Sequence, residues 1–138
     1  MALQPRENAI LALSDGTIVY GFSVGYKGIT GGELCFNTSM TGYQEIFTDP
    51  SYYGQLMMMT YPHIGNYGTM DRDDEHRKVM VAGVITRAFS YEFSNPMADS
   101  SLQQYLVDHK VVGISGVDTR ALVRHIREKG VMLSLIHI

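Results

Sequence analysis

The one cysteine and the five histidines of this sequence are the first side chains to consider as a nucleophile, a base or a metal ligand. Cys35 lies between Leu34 and Phe36 in a pattern typical of a strand, whereas a catalytic thiol usually needs an exposed turn that lowers its pKa. Free cysteine is among the most buried residue types, so we expect Cys35 to be a core residue. No two histidines have the spacing of a zinc site, and no second cysteine could complete one. The histidines are His63, His76, His109, His125 and His137. The sequence therefore predicts no catalytic residue and no metal site.

Two segments share part of the pattern of a ligand-binding loop. Residues 71–75 are acidic but lack the glycine and the terminal glutamate of a calcium loop, so they are interpreted as a solvated charged loop. Residues 25–32 contain four glycines, but no Gly-Lys-Ser/Thr precedes a helix and a strand pattern follows. We therefore predict a plain loop there and no nucleotide site.

The composition is that of one soluble domain, with 138 residues of which 45% are hydrophobic and 18% charged. The lone cysteine suits a reducing, cytoplasmic compartment. A net charge of -3 without a basic stripe argues against nucleic acid as a partner, and the apolar runs are too short to cross a membrane. Residues 1–70 hold two basic residues against five acidic ones, while residues 71–138 hold nine of each. Surfaces of this kind are often covered by another domain or subunit, so the first half is a candidate docking surface for partners, but a contribution to the core explains the pattern equally well.

The hydrophobic pattern predicts strands early and helices late. Asp15 and Gly16 separate two β-rich runs, residues 9–13 and 18–24, and their turn chemistry predicts a hairpin. Further strands are predicted at residues 33–37, 56–60, 79–86 and 111–115.

Two helices are predicted in the last third of the chain. The first begins near Ser100 or Ser101, and the second spans Thr119–Lys129 with Asp118 as its cap and Gly130 after its end. Strands followed by helices, with one strand between the helices, predict an α/β domain of α+β-like order, layered β/β/α. Residues 38–54 fit neither period, and long irregular stretches are often functional.

That irregular stretch and its flanks carry a recognisable pattern. Residues 36–45 read FNTSMTGYQE, residues 48–52 read TDPSY, and residues 60–66 read TYPHIGN. GISGVDTRAL at residues 113–122 and REKG at residues 127–130 follow in the same order. With these motifs collinear from about residue 9 to residue 132, the chain resembles the N-terminal domain of the carbamoyl-phosphate synthetase small-subunit family.

The resemblance implies both a fold and a role. The fold would be a β/β/α swivelling-type domain with a mixed sheet and two late helices. Whole small subunits of this family hydrolyse L-glutamine and pass ammonia to a large subunit, which uses bicarbonate, ATP and Mg²⁺ to make carbamoyl phosphate for arginine and pyrimidine synthesis. The implied partners are that large subunit and a C-terminal class I amidotransferase domain, which carries the family's Cys-His-Glu triad and is absent from this sequence. No cofactor is expected in this domain.

One binding residue follows from the resemblance. Ser51 matches the serine through which the family's N-terminal domain contacts glutamine, and a hydroxyl on a proline-stiffened turn suits that task. The alternative is a turn residue that satisfies its own backbone. The polar stretch around Thr41, Gly42 and Gln44 would face the amidotransferase domain or the large subunit.

The C-terminal residues depart from the family pattern. We expect residues 1–132 to form the domain and residues 133–138, LSLIHI, to be a non-native or truncated tail. The fragment itself is expected to be inactive. The alternative function is a standalone interaction or small-ligand-binding module that reuses the fold.

Overall fold

The structure, a computed structural model, describes residues 7–37, 43–64, 78–89, 102–130 and 132–137. Its strands are β1 (Asn8–Leu13), β2 (Ile18–Gly25), β3 (Ile29–Asn37), β4 (Leu56–Ile64), β5 (Gly83–Phe89), β6 (Val112–Ser115) and β7 (Leu133–His137). Its helices are α1 (Tyr43–Thr48), α2 (Leu102–Asp108) and α3 (Thr119–Lys129), and a 3-10 turn covers Pro50–Tyr52.

The described strands close into a barrel in the order β1, β2, β6, β5, β4, β3, β7. Parallel pairs join β3 to β4, β4 to β5 and β5 to β6, whereas the pairs of β1 with β2, β1 with β7, β2 with β6 and β3 with β7 are antiparallel. The predicted α/β class and mixed sheet are confirmed. The layered, swivelling-type arrangement stays a prediction, since the sheet observed here is closed.

The predicted hairpin is present. Leu11 of β1 pairs with Val19 of β2 in an antiparallel register, and Gly16 in the connecting turn has a φ of 94°. A residue with a side chain rarely adopts that φ, so the glycine permits the tight return of the chain.

Strand β4 is buried on both faces, as its unbroken apolar run predicts. Met57, Met58 and Met59 are all fully buried. Met58 belongs to the cluster that fills the barrel, while its two neighbours pack outside the barrel against α1 and α2. The barrel cluster takes alternate residues of the strands and is covered by α3 through Leu122. The three methionines therefore contribute to two hydrophobic clusters, one on each face of the sheet.

Helix α3 has the bounds that its capping residues predict. The Asp118 carboxylate accepts the backbone N–H of Ala121 at 3.1 Å, and Gly130 follows the last turn with a φ of 83°. Both capping residues act on backbone groups within a few residues of themselves, so the sequence alone was sufficient to predict where α3 begins and ends.

Two strands begin well away from their predicted first residue, and β4 ends at Ile64 rather than at residue 60. Strand β3 begins at Ile29, so half of the predicted glycine loop is strand, because residues 29–33 pair with β7. Strand β5 begins at Gly83 rather than at residue 79, because the N–H groups of Met80 and Val81 bond to the carbonyl of Phe47 instead of to a neighbouring strand. Both differences depend on contacts with distant parts of the chain.

The predicted irregular stretch also contains regular structure, since α1 and the 3-10 turn lie within residues 43–52. Thr41, Gly42, the acidic run at residues 71–75 and the caps at Ser100 and Ser101 lie outside the described residues. In the part of the chain that is described, no helix is long and apolar enough to cross a membrane.

The last described strand, β7, is one of the strands of the barrel wall, between β1 and β3. Leu11 of β1 pairs with Ile136, and Thr30 of β3 pairs with the same residue from the other side. Residues 133–137 are thus placed as a strand rather than as an appendage to residues 1–132. That these residues are non-native to the domain stays a prediction.

Candidate functional site

The turn that carries Ser51 is shaped by the sequence Asp-Pro-Ser. The Asp49 carboxylate accepts the backbone N–H of Ser51 at 2.9 Å, and Pro50 occupies the first position of the 3-10 turn. Proline suits that position because its fixed φ matches the turn and its missing N–H would have no partner there. The N–H of Tyr53 then bonds to the carbonyl of Pro50 at 3.1 Å. The local sequence alone therefore fixes where Ser51 lies on the turn.

Distant contacts hold this turn against the barrel. Phe47 of α1 is fully buried, and its carbonyl accepts the N–H of Met80 at 2.7 Å. The N–H of Gly54 bonds to the carbonyl of Met80 at 2.9 Å. On β3, Gly32 lies so close to the turn that a Cβ there would stand 2.1 Å from the carbonyl oxygen of Gly54. The close approach requires glycine and fixes the distance between the turn and the sheet.

Ser51 itself is exposed, and its hydroxyl bonds to no other described residue. The backbone N–H of Ser51 already donates to the Asp49 carboxylate, so the hydroxyl is the donor of this residue that remains for a ligand. An open hollow of about 540 Å³ lies beside the turn, against Glu45, Thr48, Asp49 and Pro50. Two carboxylates on its wall favour a ligand with a positive group. Ser51 follows Pro50 in the chain but is not one of the residues that line the hollow.

Cys35 is partly buried in β3 and is unsuited to nucleophilic attack. Its thiol points to the carbonyl of Leu56 at 3.6 Å and to the sulfur of Met57 at 3.8 Å. Burial, with a smaller contribution from the negative charge of Glu33, raises the pKa of the Cys35 thiol to about 11. The thiol is therefore almost entirely protonated at neutral pH. The predicted core cysteine is only partly buried and packs against the edge of a core cluster.

The histidines described with their side chains do not form a cluster. The His125 ring nitrogen lies 2.6 Å from an Asp15 carboxylate oxygen, and the His109 ring packs against the Tyr105 ring at a centroid distance of 4.5 Å. Across the described ranges, no three His, Cys, Asp or Glu side chains are grouped so that they could hold a metal ion. His76 lies outside the described residues.

A family comparison covers nearly the whole chain. The family described as carbamoyl-phosphate synthase small chain, CPSase domain, matches residues 11–136. The chain belongs to this family. The resemblance drawn from the motifs of the sequence is thus confirmed.

Three relatives are each named carbamoyl phosphate synthase small chain. The protein of Aquifex aeolicus is 56% identical over 95% of this chain and 35% of its own length. The protein of Thermus thermophilus is 50% identical over 95% of this chain and 34% of its own length. That of Rhodopirellula baltica is 54% identical over 99% of this chain and 35% of its own length. The chain therefore spans about a third of the length of the curated relatives that it matches.

One solved structure is only weakly similar. A peptidase M28 precursor from Shewanella amazonensis overlays 96% of this chain and 34% of its own, with a TM-score of 0.49 and 7% identity. A likeness at that level supports no inference about fold or function.

Sequence reasoning missed the contacts that build the site. The Asp-Pro-Ser turn was visible as a local motif, but its attachment through Phe47, Met80 and Gly32 joins segments that are distant in sequence. The helix α1 was missed because only six residues form it, and among those whose side chains are described only Phe47 is fully buried. Phe47 was the available signal, as an isolated aromatic residue in a polar stretch.

Proposed function

We propose that this chain is the N-terminal region of a glutamine-hydrolysing carbamoyl-phosphate synthase small chain. Its role would be to support glutamine hydrolysis and the delivery of ammonia to a large subunit that makes carbamoyl phosphate. The family match across residues 11–136 carries the proposal. The exposed hydroxyl of Ser51 beside an acidic hollow agrees with a contact to glutamine.

The proposed role of Ser51 is binding. Its hydroxyl would donate a hydrogen bond to a carboxylate oxygen of glutamine, while the carboxylates of Glu45 and Asp49 would attract the ammonium group. Because Asp49 holds the backbone N–H of Ser51, the backbone at this position is ordered before the ligand arrives, and little backbone conformational entropy is lost on binding.

This chain would not supply the nucleophile. The Cys35 thiol has a pKa of about 11 and lies among Leu56 and Met57, so the thiolate is scarce at neutral pH. In the proposed complex a C-terminal class I amidotransferase domain carries the Cys-His-Glu triad, and the large subunit uses ATP with Mg²⁺. The complex would be cytoplasmic, with no nucleic acid or membrane as a partner.

The test places this chain in a functional enzyme. The corresponding region of the Aquifex aeolicus small chain would be replaced by this sequence, and the chimaera assembled with the large subunit of that organism. We expect Ser51→Ala to raise the KM for glutamine about tenfold or more, because a hydrogen bond to a charged group contributes about 1.5–3 kcal/mol. The rate with ammonia as the nitrogen source should not change, since ammonia bypasses glutamine binding.

The control is Ser14→Ala, which removes the hydroxyl of a serine in the β1–β2 turn. It should leave the KM for glutamine unchanged. If Ser51→Ala also leaves that KM unchanged, Ser51 does not contact glutamine. If this chain fails to co-purify with the large subunit even within the chimaera, the standalone binding module becomes the better interpretation.

A further inference from the structure

A second concave site lies at the carboxyl ends of β3, β4 and β5, where α3 covers the barrel. We call it the arginine groove, and its volume is about 340 Å³. Its lining residues are Phe36, Thr60, Arg87, Thr119, Arg120, Val123, Arg124 and Arg127. It shares no residue with the hollow beside Ser51. Barrel mouths and the carboxyl ends of parallel strands are frequent positions for ligand sites.

Four arginines line the arginine groove, and all four are exposed to solvent. Arg120, Arg124 and Arg127 follow each other at i, i+4 and i+7, so they lie along one face of α3, and Arg87 comes from β5 on the opposite wall. In the part of the chain that is described, no carboxylate forms an ion pair with any of the four. Asp118, the nearest acidic residue in sequence to Arg120, is used as the helix cap.

A bound anion would offset the repulsion among these charges. Like charges at i, i+4, as at Arg120 and Arg124, slightly disfavour a helix, and a cation in the first turn opposes the helix dipole, whereas Arg127 in the last turn is favoured by it. The single described contact of these guanidinium groups is that of Arg127 over the Phe36 ring, at 5.7 Å from the ring centroid. That contact orients the Arg127 side chain at the groove without reducing its charge.

We propose that the arginine groove binds a small ligand that carries two or more phosphate groups. A phosphate group carries about −1.5 to −2 charges at pH 7, so two of them balance four guanidinium groups within this volume. A carboxylate carries one charge, and four carboxylate side chains of a protein segment need far more space. Arginine also matches phosphate with two parallel hydrogen bonds, which favours this ligand class further. Phe36 and Val123 supply an apolar wall for the rest of the ligand.

The test is a titration of the purified chain with inorganic pyrophosphate, in which isothermal titration calorimetry measures the heat of binding. We expect saturable binding at one site, and we expect Arg124→Gln and Arg87→Gln each to weaken it about tenfold or more, because a hydrogen bond to a charged group contributes about 1.5–3 kcal/mol. Glutamine keeps the helix propensity at position 124, and circular dichroism of each variant verifies that it folds. Glutamine and the large subunit are not in the assay, so its outcome is separate from that of the Ser51 experiment.

The matched control is Lys129→Gln, which removes one positive charge from an exposed position of α3 outside the arginine groove. It should change the affinity for pyrophosphate by less than about twofold. Three results would overturn the proposal: no saturable binding, an equal loss with Lys129→Gln, or tighter binding of an oligoglutamate peptide than of pyrophosphate. The last result would identify the groove as a docking surface for an acidic protein segment.

Discussion

At the scale of single residues, Cys35 shows how a strand environment controls the reactivity of a thiol. Its sulfur packs against the carbonyl of Leu56 and the sulfur of Met57, and the nearest charge that affects its pKa is the negative Glu33. A reactive cysteine needs the opposite surroundings, with positive charge or a helix N-terminus beside an exposed sulfur. The residue therefore serves packing, although its type alone would permit catalysis.

We predict that iodoacetamide modifies Cys35 slowly in the folded chain at pH 7.5. Since burial raises the thiol pKa from 9.0 to about 11, the thiolate fraction falls about 100-fold, and the alkylation rate should fall at least as much relative to the unfolded chain. The rate is measured by mass spectrometry with and without urea. Equal rates in the two states would contradict the burial of the thiol.

Asp15 makes stability depend on pH at the acidic end. The backbone N–H of Thr17, followed by the Thr17 hydroxyl and His125, lowers the pKa of the Asp15 carboxyl from 3.8 to about 2. A pKa lowered in the folded state means that the ionised carboxylate stabilises the fold above pH 3.8, and that this contribution disappears as the pH falls towards 2.

We therefore predict that Asp15→Asn unfolds more readily than the parent chain at pH 6 and that the difference shrinks between pH 4 and pH 2. Urea unfolding followed by circular dichroism at several pH values measures it. A difference that is constant with pH would mean that the carboxylate charge is not involved.

At the scale of elements, β7 has a larger structural role than its sequence indicates. It pairs with β1 on one side and β3 on the other, so it completes the barrel. Its side chains alternate: Ser134 and Ile136 are buried, and Leu133, Leu135 and His137 are exposed. That alternation is typical of a strand with one face on a core.

We predict that Ile136→Ala destabilises the chain by about 2–5 kcal/mol, because Ile136 is fully buried in the barrel cluster and its truncation leaves a cavity. Leu133→Ala is the matched control, since Leu133 is 62% exposed, and its effect should stay within about 0.5 kcal/mol. Denaturant unfolding gives both values. Equal effects would show that residues 133–137 do not form the observed strand.

The elements that the sequence predicted well are those whose ends depend on local chemistry. Asp15 and Gly16 specify the hairpin turn, and Asp118 and Gly130 specify the ends of α3. The starts of β3 and β5 were missed because strand pairing with distant segments decides them. The residues of the arginine groove were visible as three arginines along α3, but only barrel closure brings Arg87 and Phe36 to the same place. Ser51 was identified through family resemblance, as its turn geometry alone is common.

At the scale of the whole molecule, the two concave sites described above lie on different elements. The hollow beside Ser51 belongs to the connection between β3 and β4, whereas the arginine groove lies under α3 at the carboxyl ends of the parallel strands. The two sites share the strand β3, which contributes Gly32 to the support of the Ser51 turn and Phe36 to the arginine groove. A substitution in the middle of β3 would therefore affect both.

The position of β7 between the first and third strands has a consequence for biosynthesis. A ribosome releases β1, β2 and β3 long before it has synthesised Leu133–His137, so β1 and β3 each lack one neighbour during most of translation. Unpaired strand edges of that kind bind other nascent chains or chaperones. The barrel core can thus close only after residue 137 has left the exit tunnel.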